Sequence, residues 1–143
     1  MVDAAVAVKW VVAEDHSEQA ASILRYGFIH APAHWLAEAI NALWAKAARG
    51  DVAHDGAVSR AAGLRQAPVR PAALADLVEP ALQLALTLGV TVYDSLHIAL
   101  AQSLGAAFVT ADLGLLRKVA APALPAGLVR RVGDLHTVGP DPG

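Results

Sequence analysis

Short β-type runs alternate with longer helical stretches along this 143-residue chain, and that alternation limits its fold more than any other feature. Strands are predicted for five short segments, at residue 2 and at residues 28–32, 69–74, 106–111 and 128–132. Helices are predicted for the segments between them, at residues 5–12, 15–27, 34–49, 55–67, 76–88, 94–105 and 113–120. Strands separated by helices pair in parallel and are covered by helices on both faces. The pattern therefore predicts a three-layer α/β/α fold with a central parallel sheet.

The length of the chain and the absence of a repeat or linker in its sequence indicate one domain. No internal repeat or linker interrupts the alternation, and 143 residues is an ordinary size for a single domain. We predict that this domain spans residues 1–138. The last five residues, GPDPG at 139–143, are predicted to form a loose tail.

The composition restricts both the chemistry and the compartment. The chain has no cysteine, which excludes a disulfide framework, a zinc ribbon and thiol chemistry. Its 33 alanines favour helices packed through small side chains, and they raise the mean hydropathy to +0.46. The longest uncharged stretch, residues 95–111, is too polar and too short to span a membrane. No secretory signal is visible, so we expect a cytoplasmic protein without membrane association.

The charge balance limits how the chain can meet a nucleic acid. Eleven basic and thirteen acidic residues give a net charge of −2. This balance excludes a broad basic surface that coats RNA or DNA. Any nucleic acid must therefore be handled at a local site.

Four acidic residues are the candidates for such a site. Asp3 follows the first strand, Asp94 opens a helix, and Asp112 follows the strand at 106–111. Glu38 lies on a helix, on the side opposite a stripe formed by Leu36, Ile40, Leu43 and Ala47. Sites in parallel sheets form beyond the carboxyl ends of the strands, and clustered carboxylates favour hard divalent cations. Helix capping by the three aspartates and a solvated Glu38 remain the alternatives.

The segments that carry these acids resemble a known family. Residues 2–10 (VDAAVAVKW), 31–44 (APAHWLAEAINALW) and 89–112 (GVTVYDSLHIALAQSLGAAFVTAD) are similar in order and spacing to the PIN-domain nucleases, specifically the VapC-type toxins of toxin–antitoxin pairs. Residues 51–76 contribute little to the likeness. By this resemblance Asp3, Glu38, Asp94 and Asp112 match the catalytic, metal-binding acids. Two further residues match supporting positions: Thr110, a hydroxyl near the last acid, and Asn41, a polar residue one turn beyond Glu38.

The resemblance implies a function and its partners. It implies a PIN-like fold and an endoribonuclease that depends on Mg²⁺, or Mn²⁺, and hydrolyses RNA phosphodiesters with a metal-activated water. It also implies a cognate antitoxin, RNA as the substrate and a homodimer. The apolar excess, which includes three tryptophans, is typical of a partner surface, although alanine-rich packing alone gives the same composition.

Two other readings of the acids stay open. The family usually has a serine or threonine two residues after the first aspartate, where this chain has Ala5. The missing hydroxyl leaves open a catalytically weak or inactive PIN-like module that acts by binding protein or RNA. A phosphate-accepting receiver domain also clusters aspartates, but it needs a lysine at a late strand end, and Lys118 lies within a predicted helix instead.

Histidines are a second class of candidate metal ligand in this sequence. His30 and His34 are four residues apart, but Pro32 between them prevents a shared helix, so a site formed by this pair is not expected. His97, three residues after Asp94, is predicted to be a packed or hydrogen-bonded side chain. A role beside the acidic cleft is the alternative for His97.

Overall fold

Helices make up most of the chain, and short strands lie between them, as the alternation predicts. The computed structural model describes residues 1–120 and 124–136. In this part the helices are α1 (Ala4–Val8), α2 (Ser17–Ile23), α3 (Trp35–Ala48), α4 (His54–Arg65), α5 (Val78–Leu88), α6 (Val92–Leu104) and α7 (Leu113–Val119). The strands are β1 (Ile29–Pro32), β2 (Val69–Ala72), β3 (Phe108–Thr110) and β4 (Val129–Arg131). Three short 3₁₀ turns occur at Leu24–Tyr26, Ala75–Leu77 and Val132–Asp134.

All strand pairs in the described residues are parallel. β1 pairs with β2, with Ile29 opposite Val69, and β3 pairs with β4, with Phe108 opposite Val129. The predicted first strand is a single parallel bridge between Val2 and Val109. The sheet layer is thus built from two pairs and a bridge, and α6 contacts both β1 and β3.

Helices cover both faces of this layer. Successive strand residues point to opposite sides of a sheet. Accordingly, Val109 packs in a core with Val6 and Leu43, whereas its neighbour Phe108 packs in a second core with Ile98 and Leu115. The predicted three-layer α/β/α architecture is therefore confirmed.

Small side chains let the helices approach closely. Among the described residues, six alanines are fully buried: Ala7, Ala20, Ala31, Ala39, Ala81 and Ala101. Two tryptophans also serve packing, because Trp35 is buried and the Trp10 indole donates to the Ala20 carbonyl at 2.9 Å. Trp44 differs, since two-thirds of it is exposed on α3.

The predicted buried stripe of α3 is partly wrong. Leu43 is buried, but the other buried residues of α3 are Trp35 and Ala39, and Ile40 is 46% exposed. The reason is tertiary: α3 packs against both α1 and α4, so its buried side is rotated away from the most apolar stripe. Ile40 is left in a groove beside α4.

Two predicted boundaries also need comment. Helix α6 begins at Val92 rather than at Asp94, because Thr91 takes the N-cap position. The predicted domain end at residue 138 and the tail at 139–143 lie outside the described residues.

Among the described residues, no single helix is long and apolar enough to cross a membrane. Residues 75–88 and 92–104 pass that test only as a pair of helices bent by 116°.

Candidate functional site

A buried hydroxyl connects the first and last of the predicted acids. Thr110 ends β3 and is fully buried. Its hydroxyl donates to Oδ2 of Asp3, and its oxygen accepts the backbone N–H of Asp112 at 3.0 Å. The Val2–Val109 bridge and the end of β3 therefore place Asp3, Thr110 and Asp112 together at one edge of the sheet layer.

Asp3 and Asp112 are also helix caps. Oδ1 of Asp3 accepts the N–H of Val6 at 2.9 Å, at the start of α1. Oδ1 of Asp112 accepts the N–H groups of Gly114 and Leu115 at 2.7 and 3.0 Å, at the start of α7. Capping thus uses Oδ1 of each carboxylate and fixes its orientation, so it does not compete with binding through Oδ2.

Asp94 is held by a residue that the sequence reasoning missed. Thr91 is the N-cap of α6, and its hydroxyl oxygen accepts the N–H of Asp94 at 3.1 Å. The same hydroxyl donates to Oδ2 of Asp94 at 2.7 Å. A threonine three residues before an acid at a helix start is a capping pattern, and this signal was available in the sequence.

The four acids influence one another electrostatically. Burial raises the pKa of Asp3 from 3.8 to about 6, the charges of Asp94 and Asp112 add to the rise, and hydrogen bonds from Thr110 and Val6 oppose it. Burial likewise raises the pKa of Glu38 from 4.5 to about 7, with further contributions from Asp3 and Asp94. Each predicted acid therefore lies near at least one other member of the set.

This arrangement suits a divalent cation. Clustered carboxylates persist only when protons or cations offset their repulsion. In addition, Oε1 of Glu38 is buried and has no hydrogen-bond partner among the described residues. The donor chemistry of four carboxylates suits Mg²⁺ or Mn²⁺, but within the described residues no three of these acids bring ligand oxygens within 4.8 Å of one another.

Two histidines, His34 and His97, adjoin Glu38, and the sequence indicates a place beside the acids only for His97. His34, at the N-cap of α3, has its Nε2 2.8 Å from Oε1 of Glu38, although the two atoms are not aligned for a hydrogen bond. His97 on α6 is 2% exposed, and its Nδ1 donates to the carbonyl oxygen of Tyr93 at 3.0 Å. One ligand atom from each of His34, Glu38 and His97 lies within 4.8 Å of the others.

Burial disfavours the charged form of both imidazoles. Burial lowers the pKa of His34, and it lowers the pKa of His97 to about 4. The sequence offered two spacings for this group: His34 four residues before Glu38 on one helix, and His97 three residues after Asp94 on another. The contact between the two helices could not be read from either spacing.

The remaining predicted positions are exposed. Asn41 lies one turn beyond Glu38 on α3, at the surface. Ala5, where the family usually has a hydroxyl, is exposed on α1. Lys118 lies in α7, and its Nζ donates to the Gly89 carbonyl at 2.9 Å, which does not fit the receiver-domain reading.

The raised pKa of Asp3 predicts a pH-dependent difference between two proteins. A carboxyl whose folded pKa is raised favours folding when protonated, and this contribution is lost as pH rises from about 4 to about 6. Without divalent ions, Asp3→Asn should therefore gain about 3 kcal/mol of stability relative to the unmodified protein across that range.

Urea unfolding in chelator at pH 4, 5, 6 and 7 measures this difference. The lowered pKa of His97 changes stability in the opposite direction over the same range, but it is common to both proteins. The difference between the two curves therefore reports Asp3 together with its effect on the pKa of Glu38, which the charge of Asp3 also raises. A difference in unfolding free energy that does not change with pH would contradict the raised pKa of Asp3.

An apolar groove lies between α3 and α4, away from the acids. It has a volume of about 450 Å³ and is lined by nine residues: Ile40, Leu43, Trp44, Ala47, Ala48, His54, Ala57, Val58 and Ala61. Trp44 and Val58 are 67% and 75% exposed. Large exposed apolar side chains gathered along one groove mark a surface for a partner.

Comparisons with known proteins agree with this geometry. The family model described as PIN domain matches residues 1–122. The chain is 32% identical over 128 residues to Ribonuclease VapC3 of Pyrobaculum aerophilum, covering 87% of this chain and 98% of that protein. The crystal structure of PAE2754 from Pyrobaculum aerophilum superposes with a TM-score of 0.63 and 25% identity, covering 92% of this chain and 88% of that one. The chain therefore belongs to the PIN-domain family, as a nuclease of the VapC type.

Proposed function

We propose that this chain is a Mg²⁺- or Mn²⁺-dependent endoribonuclease that acts as the toxin of a toxin–antitoxin pair. Asp3, Glu38, Asp94 and Asp112 would hold the metal. The observation that supports this most directly is the Thr110 hydroxyl, which joins Asp3 to Asp112 at one edge of the sheet layer. The raised pKa of Asp3, to about 6, and of Glu38, to about 7, agree with it. The 32% identity to Ribonuclease VapC3 supports the activity and the substrate class.

The protein side chains contribute orientation. A bound divalent ion lowers the pKa of water and offsets the charge that develops on a phosphodiester. Asp3, Asp94 and Asp112 are each fixed by a hydrogen bond from a threonine hydroxyl or a helix N-terminus. Carboxylates held in place before the ion arrives need no reorganisation during the reaction. Glu38 lacks such a bond on Oε1 and completes the set from α3.

Two features of the site govern the approach of RNA. Without a cation the acids repel phosphate, and a bound cation reverses the local charge. This explains how a chain with a net charge of −2 can act on RNA. Asn41, exposed one turn beyond Glu38, would donate hydrogen bonds to the RNA backbone.

Metal-dependent cleavage of RNA tests the proposal. Purified protein should cleave RNA when Mg²⁺ or Mn²⁺ is added and should not do so in excess chelator. RNA binding without cleavage in either metal would instead support an inactive binding module. Ala5 favours that second reading, because it lacks the hydroxyl usual at this position.

We further propose that the groove between α3 and α4 binds the antitoxin. Replacing Val58 by glutamate should weaken antitoxin binding at least about tenfold, because it places a charge in an apolar contact. Val58 is 75% exposed, so the fold and the RNA cleavage of the free toxin should not change. Calorimetry with the antitoxin encoded next to this chain's gene measures the affinity.

A homodimer is proposed through a different surface. Val78, Leu82 and Leu86 recur every four residues on α5 and are at least half exposed. Replacing Leu86 by glutamate should convert a dimer of twice 14.7 kDa into a monomer, as measured by light scattering. Val58→Glu should remain dimeric, and Leu86→Glu should still bind the antitoxin, so each variant is the control for the other. An unmodified protein that is monomeric at micromolar concentration would refute the dimer.

A further inference from the structure

We propose that His34, Glu38 and His97 form a binding site for a divalent transition-metal ion such as Zn²⁺. The site lies beside the four acids and shares only Glu38 with them. It goes beyond the proposed ribonuclease activity, because no step of RNA cleavage requires it. The argument begins with atoms that lack partners.

Unpartnered buried atoms are concentrated in these three residues. Buried side-chain nitrogen and oxygen atoms are nearly always hydrogen-bonded, and an exception often marks the place of an ion or a water. In the described part of the chain, every such atom without a partner belongs to this group: Nδ1 and Nε2 of His34, Oε1 of Glu38 and Nε2 of His97. Three separate residues thus direct unused polar atoms into one space.

His97 is oriented as a metal ligand would be. Its Nδ1 donates to the carbonyl oxygen of Tyr93, so Nε2 carries the free lone pair. The ring stacks on Phe108 with centroids 5.1 Å apart and planes 18° from parallel. Metal-ligating histidines commonly donate their other N–H to a carbonyl, which fixes the tautomer and the ring. At 2% exposure, His97 has no access to bulk water for its Nε2.

The spacing of the ligand atoms suits one ion. Nε2 of His34 lies 2.8 Å from Oε1 of Glu38. Two ligands about 2.1 Å from a tetrahedral ion lie about 3.4 Å from each other, so these two atoms need to move apart by about 0.6 Å to bind the same Zn²⁺. The rings of His34 and His97 are nearly perpendicular, at 77°, with centroids 5.5 Å apart, so they do not stack on each other. Their ligand atoms and that of Glu38 all lie within 4.8 Å.

The donor set selects the class of ion. Two imidazoles and one carboxylate suit Zn²⁺ and its transition-metal neighbours, whereas Mg²⁺ prefers oxygen ligands alone. Three protein ligands leave a position for water or another ligand. The side chains of His34 and Glu38 are 14% and 33% exposed, which gives an ion a route from solvent.

Calorimetry of Zn²⁺ binding to the untagged, full-length protein tests the site. In excess Mg²⁺, which is expected to occupy the four acids, we expect one Zn²⁺ per chain, and at least about a tenfold loss of affinity in His34→Gln and His97→Gln. His34 is the less buried histidine, so its variant keeps the test valid if His97→Gln does not fold. His30→Gln and Asp112→Asn are the controls and should bind Zn²⁺ normally.

Imidazole ¹⁵N chemical shifts locate the bound ion. In the zinc-loaded protein, Nε2 of His34 and of His97 should both shift, while His30 should not. Stoichiometric binding that Asp112→Asn removes and His34→Gln leaves intact would place the ion among the four acids and overturn the proposal. Absence of stoichiometric binding would also overturn it and would assign the unpartnered atoms to buried water. Neither result depends on RNA cleavage, so the ribonuclease proposal is judged separately.

Discussion

Replacing Asp94 by asparagine is expected to abolish RNA cleavage and toxicity while leaving the protein folded. The variant removes one of the four proposed carboxylate ligands, and we expect RNA cleavage to fall at least about a hundredfold. The fold should survive, because the side-chain oxygen of asparagine can still accept the hydrogen bond that the Thr91 hydroxyl donates to Asp94. Initial rates on RNA in Mg²⁺ and growth of cells that express the variant measure the effect.

The stability of Asp94→Asn should hold or rise. The charge of Asp94 contributes to the raised pKa of both Asp3 and Glu38, so its removal relieves repulsion in the ion-free protein. We expect a gain of up to about 1 kcal/mol in urea unfolding with chelator. Asp76→Asn, at an exposed 3₁₀ turn away from the four acids, is the matched control. Full activity of Asp94→Asn, or loss of activity caused only by unfolding, would remove Asp94 from the proposed metal site.

Replacing Thr110 by valine should damage both stability and activity. The two side chains have nearly the same shape, so the change removes the hydroxyl and little else. Asp3 then loses a donor to Oδ2, and the partly buried N–H of Asp112 loses its acceptor. Leaving two partly buried polar groups unpartnered costs about 2 kcal/mol. Because the Thr110 hydrogen bond also lowers the pKa of Asp3, its loss raises that pKa further and weakens metal binding.

Thr110→Ser separates the hydroxyl from the methyl group. Serine keeps the hydroxyl and loses one methyl, so it should retain most of the RNA cleavage at saturating Mg²⁺, at a cost of about 1 kcal/mol in stability. Thr110→Val should lose at least about tenfold in cleavage rate under the same conditions. Equal rates in the two variants would show that the hydroxyl does not position the acids. Urea unfolding of both proteins in chelator measures the stability.

The strand-end acids could be located from the sequence because topology alone places them. Asp3 and Asp112 follow segments that lie next to each other in parallel, so their position at one edge follows from the order of strands and helices. Their second role as helix caps was also readable, since each stands directly before a helix. The fold class rests on the same kind of local signal. In these regions, predicting the secondary structure is nearly enough to predict where the site residues lie.

The helix-borne residues could not be located in the same way. Glu38 and His34 reach the site only because the start of α3 lies near α6, where His34 meets the rings of Tyr93 and His97. The hydrophobic periodicity of a helix does not show which other helix it packs against. The buried side of α3 was mispredicted for the same reason, because Ile40 belongs to the apolar stripe yet faces a groove formed with α4. Tertiary contacts decide which of two plausible helix faces turns inward.

The hydrogen bond from Thr110 to Asp3 joins residues that are 107 positions apart in the chain. Synthesis delivers Asp3 early and Thr110 only after most of the domain has left the ribosome. Contacts of such separation form late, since the chain between them must first be ordered. An unfinished or truncated chain therefore has no assembled acid cluster, and the proposed nuclease is latent during its own translation. The RNA around the ribosome would meet the proposed activity only once the domain is complete.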